Sequence, residues 1–337
     1  MSLSRPLGEV VLSHSSSCTL LLAPPAWGKT RLLADLYDEN QIIMIFVSPL
    51  RALANEFYNR MKKKKNAFLP TGKQVTEDLD ICLKKSKGIL VVTAEQLSER
   101  FWRRLEGENK KVLFVFDEFH LFYRWSYDFR PQLFEVLMMV ANLSFPILGL
   151  SATMEQKILD KWWDDFKTGV EKRYLIDLGN GKLLNLPHKV ESFYFLGKTA
   201  LHRRFLYELA KKKKGVFLLF CQYRYEVEQM VNLCQRQGFS SIGCVGGEVN
   251  LFMEQLNKNH RPDCIISTLC LGHGVNLPEI AGVFINYNIK QRDYWIQMVG
   301  RGGRKGEKFM LYHLNKGGHF FRPLWYNFCL KYFNFWN

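Results

Sequence analysis

The residues best suited to chemistry in this chain sit in the stretch Ala23-Pro24-Pro25-Ala26-Trp27-Gly28-Lys29-Thr30. Their spacing keeps the G-x4-G-K-[ST] frame of a phosphate-binding loop, with Ala23 in the place of the first glycine. An apolar run, TLLLA, precedes the loop, and the amphipathic stretch TRLLADLY follows it. Strand, loop and helix in that order aim backbone N–H groups and a helix N-terminus at an anion. In that setting Lys29 meets the β- and γ-phosphates of a nucleotide and Thr30 ligates magnesium.

A phosphate loop that hydrolyses its nucleotide needs carboxylates from elsewhere in the chain. The run KVLFVFDEFH supplies Asp117 and Glu118 at the end of an apolar strand. Asp117 is expected to bind Mg²⁺, directly or through water, and Glu118 to orient and deprotonate the attacking water. Further on, the segment at 297–306, QMVGRGGRKG, carries Gln297, Arg301 and Arg304 in a glycine-bearing frame. One arginine brought to a transferring phosphoryl group contributes about 10³- to 10⁵-fold in rate.

The elements that must position these residues are short apolar runs alternating with amphipathic stretches. CTLLLA, IIMIFVS, GILVVT, KVLFVFD and PILGLSA read as strands of the first half. VESFYFL, GVFLLFC, SIGCV, CIIST, GVFIN and KFMLYHL read as strands of the second. TRLLADLY, RALANEFYNRM, AEQLSERFWRRL and YEVEQMVNLCQRQ read as helices between them. Strands without polar alternation, joined through helices, predict parallel sheets covered on both faces. The fold class is therefore α/β, in two lobes: residues 1–170, a linker over 171–190 rich in Gly, Pro and Lys, and residues 191–315. The segment 316–337 reads as an aromatic C-terminal helix that either packs back on the second lobe or docks a partner.

With 337 residues the chain can build two ordinary domains, and 47% apolar residues fit a folded protein. Its 47 basic against 32 acidic residues leave a formal charge of +15, which suits a polyanionic partner. The eight cysteines form no C-x-x-C pair and sit mostly in apolar runs, so they read as reduced, buried thiols rather than zinc ligands. No membrane-spanning run is present in the sequence, and a cytoplasmic location is expected.

Seven stretches together resemble a superfamily-two DExH-box helicase, closest to its Ski-like branch of exosome-assisting RNA helicases and archaeal repair helicases. They are APPAWGKT (motif I), SPLRALANE (Ia), VVTAEQL (Ib), DEFH (II), SAT at 151–153 (III), STLCLGHGVNLPE (V) and QMVGRGGRKG (VI). FCQYRYEVE is a looser match to motif IV, and FRPQLFEVL also resembles a segment of that branch. The resemblance implies two tandem RecA-like lobes, each a mostly parallel sheet, with ATP in the cleft between them. It implies ATP and Mg²⁺ as cofactors, with Gly274 of motif V joining the nucleotide-binding set of 23–30 and Asp117. It makes Gln297, Arg301 and Arg304 catalytic beside Glu118. His120, Ser151 and Thr153 become couplers between nucleotide and strand, and Arg51, Thr93, Arg224 and Thr268 contacts to the phosphodiester backbone.

The chain departs from that branch in three respects. Only 18 residues separate Pro278 from Gln297, too few for the long strand-separating hairpin. About 30 residues follow motif VI, so winged-helix and ratchet domains have no counterpart. No glutamine motif for adenine precedes the loop. The expected activity is an ATPase dependent on single-stranded or partly duplex nucleic acid, moving 3′ to 5′, with limited unwinding or protein displacement. One alternative is a translocating subunit of a repair, DNA-uptake or defence complex, docked through the aromatic tail. Another is a non-catalytic nucleic-acid-binding protein on the same fold. No base-reading module is legible, and DNA is only slightly favoured over RNA.

Overall fold

A computed structural model describes residues 3–315, apart from 15, 73, 109–110, 126–128, 195–196, 212–213, 259–260, 273–274 and 276. The chain divides into two compact units, Met1–Leu184 and Asn185–Asn337. The segment 316–337 and Gly274, both singled out above, lie outside the described residues.

The first unit is built on seven strands: β1 (Ser17–Leu22), β2 (Ile43–Ser48), β3 (Ala67–Phe68), β4 (Gly88–Thr93), β5 (Val112–Phe116), β6 (Ile147–Ser151) and β7 (Lys172–Asp177). They lie in the order β3-β4-β2-β5-β6-β1-β7, and every pairing is parallel. Parallel neighbours need crossover helices, which cover both faces and bury the strands completely. Accordingly β1, β2, β4, β5 and β6 are buried at every position. Alternate residues feed two cores: Leu20, Ile45 and Phe114 on one face, Leu21, Phe46 and Val115 on the other. Each such side chain, removed from water, contributes roughly 1.5–3 kcal/mol before chain entropy is counted.

The second unit has six strands: β8 (Lys189–Phe193), β9 (Val216–Phe220), β10 (Ser241–Cys244), β11 (Cys264–Ser267), β12 (Ile280–Ile285) and β13 (Met310–Leu314). Their order is β10-β11-β9-β12-β13-β8, again all parallel. Each unit is thus a parallel sheet with helices, as the alternation of runs predicts, and the two together give the tandem RecA-like lobes that the resemblance implies.

One expectation needs correction. The stretch 171–190 is not a plain linker, because Lys172–Asp177 forms β7 and pairs with β1 over six residues. As an edge strand it mixes exposed and half-buried positions, so its sequence KRYLID lacks the continuous apolar run of the inner strands. The turn that follows also belongs to the first unit. Asn180 bonds the backbone of Met154 through both ends of its amide, at 2.8 and 2.9 Å, and Gly181 N donates to Ala152 O. The segment is a brace for the loop after β6.

Candidate active site

The nucleotide-binding candidates gather where β1, β5 and β6 end. Ala23 N bonds Ser151 O at 2.9 Å, Asp117 N bonds Val47 O at 3.1 Å, and Phe119 N bonds Leu150 O at 2.8 Å. These bonds tie the loop 23–30 and the DEFH turn to the carboxyl edge of one sheet, where open parallel sheets place their ligands. The turn can seat itself because residue 149 is glycine. A Cβ there would meet the Phe119 ring at 2.5 Å.

The loop itself is a tight turn, with Trp27 N donating to Pro24 O. Gly28 adopts φ +106° at the N-cap of the helix Lys29–Glu39, a conformation that a side chain would strain. Ala26 also has positive φ, at 65°. Trp27 packs against the core beneath and anchors the loop. Lys29 Nζ donates to the carbonyls of Ala23 at 3.0 Å and Pro24 at 3.4 Å, so its charge sits within the loop. Thr30 Oγ1 accepts from Arg60 at 3.3 Å, a contact from the helix Arg51–Met61 that the sequence did not suggest.

Asp117 lies beside Glu118, and burial together with that neighbour pushes its carboxyl up to about 7, with Lys29 and Arg60 pulling the other way. Glu118 has left-handed backbone, φ 47°, an uncommon state for a residue with a side chain and one that recurs at functional sites. The threonine hydroxyl and the aspartate carboxylate are hard oxygen donors of the kind Mg²⁺ takes. A divalent cation would restore the charge that burial disfavours at Asp117, so the residues fit the metal.

His120 is fully buried, and its Nδ1 lies 2.9 Å from Ser151 Oγ and 3.6 Å from Glu118 Oε2. Ser151 Oγ in turn donates to Thr153 O at 2.6 Å. The DEFH turn and the Ser151-Ala152-Thr153 segment are therefore in direct contact. Thr153 Oγ1 is buried without a hydrogen-bond partner among the described residues.

Arg51 and Thr93 converge on a residue that sequence reasoning missed. Gln96 Oε1 accepts from Arg51 NH1 and Thr93 N, both at 2.9 Å, while Gln96 Nε2 donates to Pro70 O. Arg130, within the FRPQ segment, bonds Pro49 O and pairs with Glu95. The two loops carrying Arg51 and Thr93 are thus cross-braced. The Thr93-x-x-Gln96 spacing is a local capping signal, whereas the bonds of Gln96 to Arg51 and Pro70 and of Arg130 to Pro49 and Glu95 join segments tens of residues apart.

In the second unit, Gln297 and Arg301 are buried and Arg304 is half-buried. Arg301 donates to Val275 O at 2.5 Å, fastening the turn after the helix Arg292–Val299 to the loop after β11. Arg304 Nε donates to Gly300 O at 3.0 Å. Arg224, exposed at the start of the helix Arg224–Arg236, reaches Gly246 O. Thr268 N donates to Cys244 O at 3.1 Å and its hydroxyl to Cys270 Sγ at 3.4 Å. The seven described cysteines are all free thiols, and no metal-binding cluster of His, Cys, Asp or Glu occurs among the described residues. No helix there is long and apolar enough to cross a membrane.

Comparison with known proteins places this geometry in a class. Residues 9–161 match the DEAD/DEAH box helicase family, and residues 200–306 match the helicase conserved C-terminal domain. The chain is thus similar, in its two halves, to the two domains of a DEAD/DEAH helicase. More particularly, it is 25% identical over 286 residues to the RecQ-like DNA helicase BLM of Xenopus laevis, covering 79% of this chain and 20% of that protein. It is 24% identical over 335 residues to the ATP-dependent helicase Lhr-Core of Methanocaldococcus jannaschii, covering 87% and 39%. Dbp5 of S. cerevisiae, solved bound to RNA and ADP BeF3, shares the fold at a TM-score of 0.67 and 16% identity, covering 94% of this chain and 83% of that one. The chain spans between a fifth and two fifths of the two curated relatives' length.

Proposed function

We propose that this chain hydrolyses ATP in response to nucleic acid and uses the cycle to move along a single strand, 3′ to 5′, opening short duplexes or displacing bound proteins. The observation that carries the proposal is the gathering of Lys29, Thr30, Asp117 and Glu118 at one sheet edge, with His120 touching Ser151. Chemically, Lys29 exchanges its loop carbonyls for β/γ-phosphate oxygens, a charged and therefore stronger contact. Thr30 and Asp117 hold Mg²⁺, which when bound neutralises phosphate charge. Glu118 takes the proton of the attacking water. Arg304 and Arg301 stabilise charge developing on the γ-phosphate, Gln297 helps to orient that group, and Gly274 lies along the nucleotide.

Arg51, Thr93, Arg224 and Thr268 are the proposed contacts to strand phosphates. Such contacts carry no sequence information, so binding is expected to be salt-sensitive and nearly sequence-independent. His120, Ser151 and Thr153 relay the state of the nucleotide to that surface. Within superfamily two, the motif wording supports the Ski-like branch, whereas the relatives above bear RecQ-like and Lhr names. Single-stranded DNA is the favoured substrate, in keeping with the DNA helicase among them. A cytoplasmic setting is proposed from the eight scattered thiols, and a protein partner from the aromatic residues of 316–337. The test is Lys29→Ala: hydrolysis is expected to vanish, and turnover at the wild-type rate would overturn the assignment of the loop.

A further inference from the structure

Tyr223 and Tyr225 stand on either side of Arg224 in the chain, just after β9 in the FCQYRYEVE stretch, and have no role in the site described above. Their rings lie parallel, with centroids 5.5 Å apart and planes 11° apart. Both remain about half exposed, at 49% and 56%. Two aromatic rings held in register at the surface leave an outer ring face in water, and a flat π-surface is the group such a face accommodates best.

Their surroundings point to the same ligand. Arg224, between them in sequence, reaches the loop after β10 through Gly246 O. Thr268, at the end of β11, is bonded to Cys244 of β10. Gln222, the residue before Tyr223, lines an open cavity of about 490 Å³ that also includes Lys198 and Lys290. Basic side chains thus occur on the segments next to the ring pair, Arg224 between the two tyrosines and Lys198 and Lys290 in the cavity that Gln222 lines, with Lys198 paired to Glu226. We propose that Tyr223 and Tyr225 form a stacking ledge for an unpaired nucleobase of the strand whose phosphates Arg224 contacts. The inference rests on the nucleic-acid reading above and adds a base contact to a surface otherwise reserved for backbone. It implies that the unit holds an unstacked base, so that intact single strands bind more tightly than strands lacking bases.

The experiment measures affinity for a short fluorescent single-stranded DNA, its RNA counterpart, and a DNA of equal length with abasic sites throughout its centre. A stacked base contributes about 1–3 kcal/mol by alanine substitution, so Tyr225→Ala is expected to weaken binding of the intact strand roughly 5- to 150-fold. Tyr223→Ala is expected to weaken it as well, since the two rings form one ledge. Tyr225→Phe should bind like wild type, because the ring and not the hydroxyl is used. The abasic strand should bind wild type and Tyr225→Ala equally. Tyr225→Ala should leave the salt dependence unchanged, whereas Arg224→Ala should lower its slope by about 1. Wild-type binding of the intact strand by both alanine variants overturns the ledge alone and leaves the rings to a protein contact. An equal loss for intact and abasic strands overturns it too, since the rings would then serve the backbone. Failure of the wild-type protein to bind any of the three strands overturns the nucleic-acid reading and the ledge with it.

Discussion

Removing one charge from the candidate active site is expected to make the ligand-free protein more stable. Asp117 has its carboxyl raised from 3.8 to about 7, first by burial and second by Glu118. The folded state therefore holds a proton that the unfolded chain gives up, and stability falls as pH rises through that window. Above pH 7 the full difference corresponds to about 4 kcal/mol of disfavour for the charged form. Asp117→Asn keeps the shape and removes the charge. Burial of the amide takes back part of the gain, leaving about 2 kcal/mol, or roughly 4–8 °C for a unit of this size. In thermal melts without nucleotide or metal, Asp117→Asn should melt higher than wild type at pH 8, and the gain should vanish near pH 5, where the native carboxyl is already protonated. With ATP and magnesium present the order should reverse, because the variant has lost a ligand. A shift of the same size at pH 5 and pH 8, or a lower melting point at both, would refute the reasoning.

Other substitutions probe separate parts of the account. Glu118→Gln should keep nucleotide affinity while slowing hydrolysis by at least 10²-fold, measured by equilibrium binding and single-turnover assays; normal turnover would clear Glu118 of the role of base. Arg304→Ala should leave nucleotide affinity nearly intact and slow hydrolysis by about 10³-fold or more, and full activity would remove the arginine from the mechanism. Thr153→Val deletes a buried hydroxyl that has no partner among the described residues. It should raise the melting temperature by a few degrees, for about 1 kcal/mol gained, while weakening stimulation by nucleic acid; destabilisation would mean that the hydroxyl is satisfied.

The inner strands were legible because burial on both faces demands continuous apolar runs, and the eleven runs read from the sequence all coincide with strands. The two missed strands, Ala67–Phe68 and Lys172–Asp177, lie at the edges of the first sheet, where half of each strand faces water. The stretch 94–105 was read as one helix. It is a short 3-10 turn, Ala94–Gln96, followed by a helix over Glu99–Leu105, because Gln96 turns back to bond Thr93 N. Residues of the phosphate loop and the DEFH turn could be found because each motif is contiguous. Arg130, Arg60 and Asn180 could not, because their partners are set only by the fold, and the same holds for the bonds of Gln96 to Arg51 and Pro70.

The central claim is that nucleotide hydrolysis answers to a bound strand. Its most direct test is the steady-state ATPase rate of the protein alone, then with single-stranded DNA, single-stranded RNA and duplex, each repeated with Lys29→Ala. The account predicts a low basal rate, strong stimulation by a single strand with DNA favoured, and no hydrolysis in the variant. ATP hydrolysis that proceeds at one rate regardless of the strand supplied would contradict it.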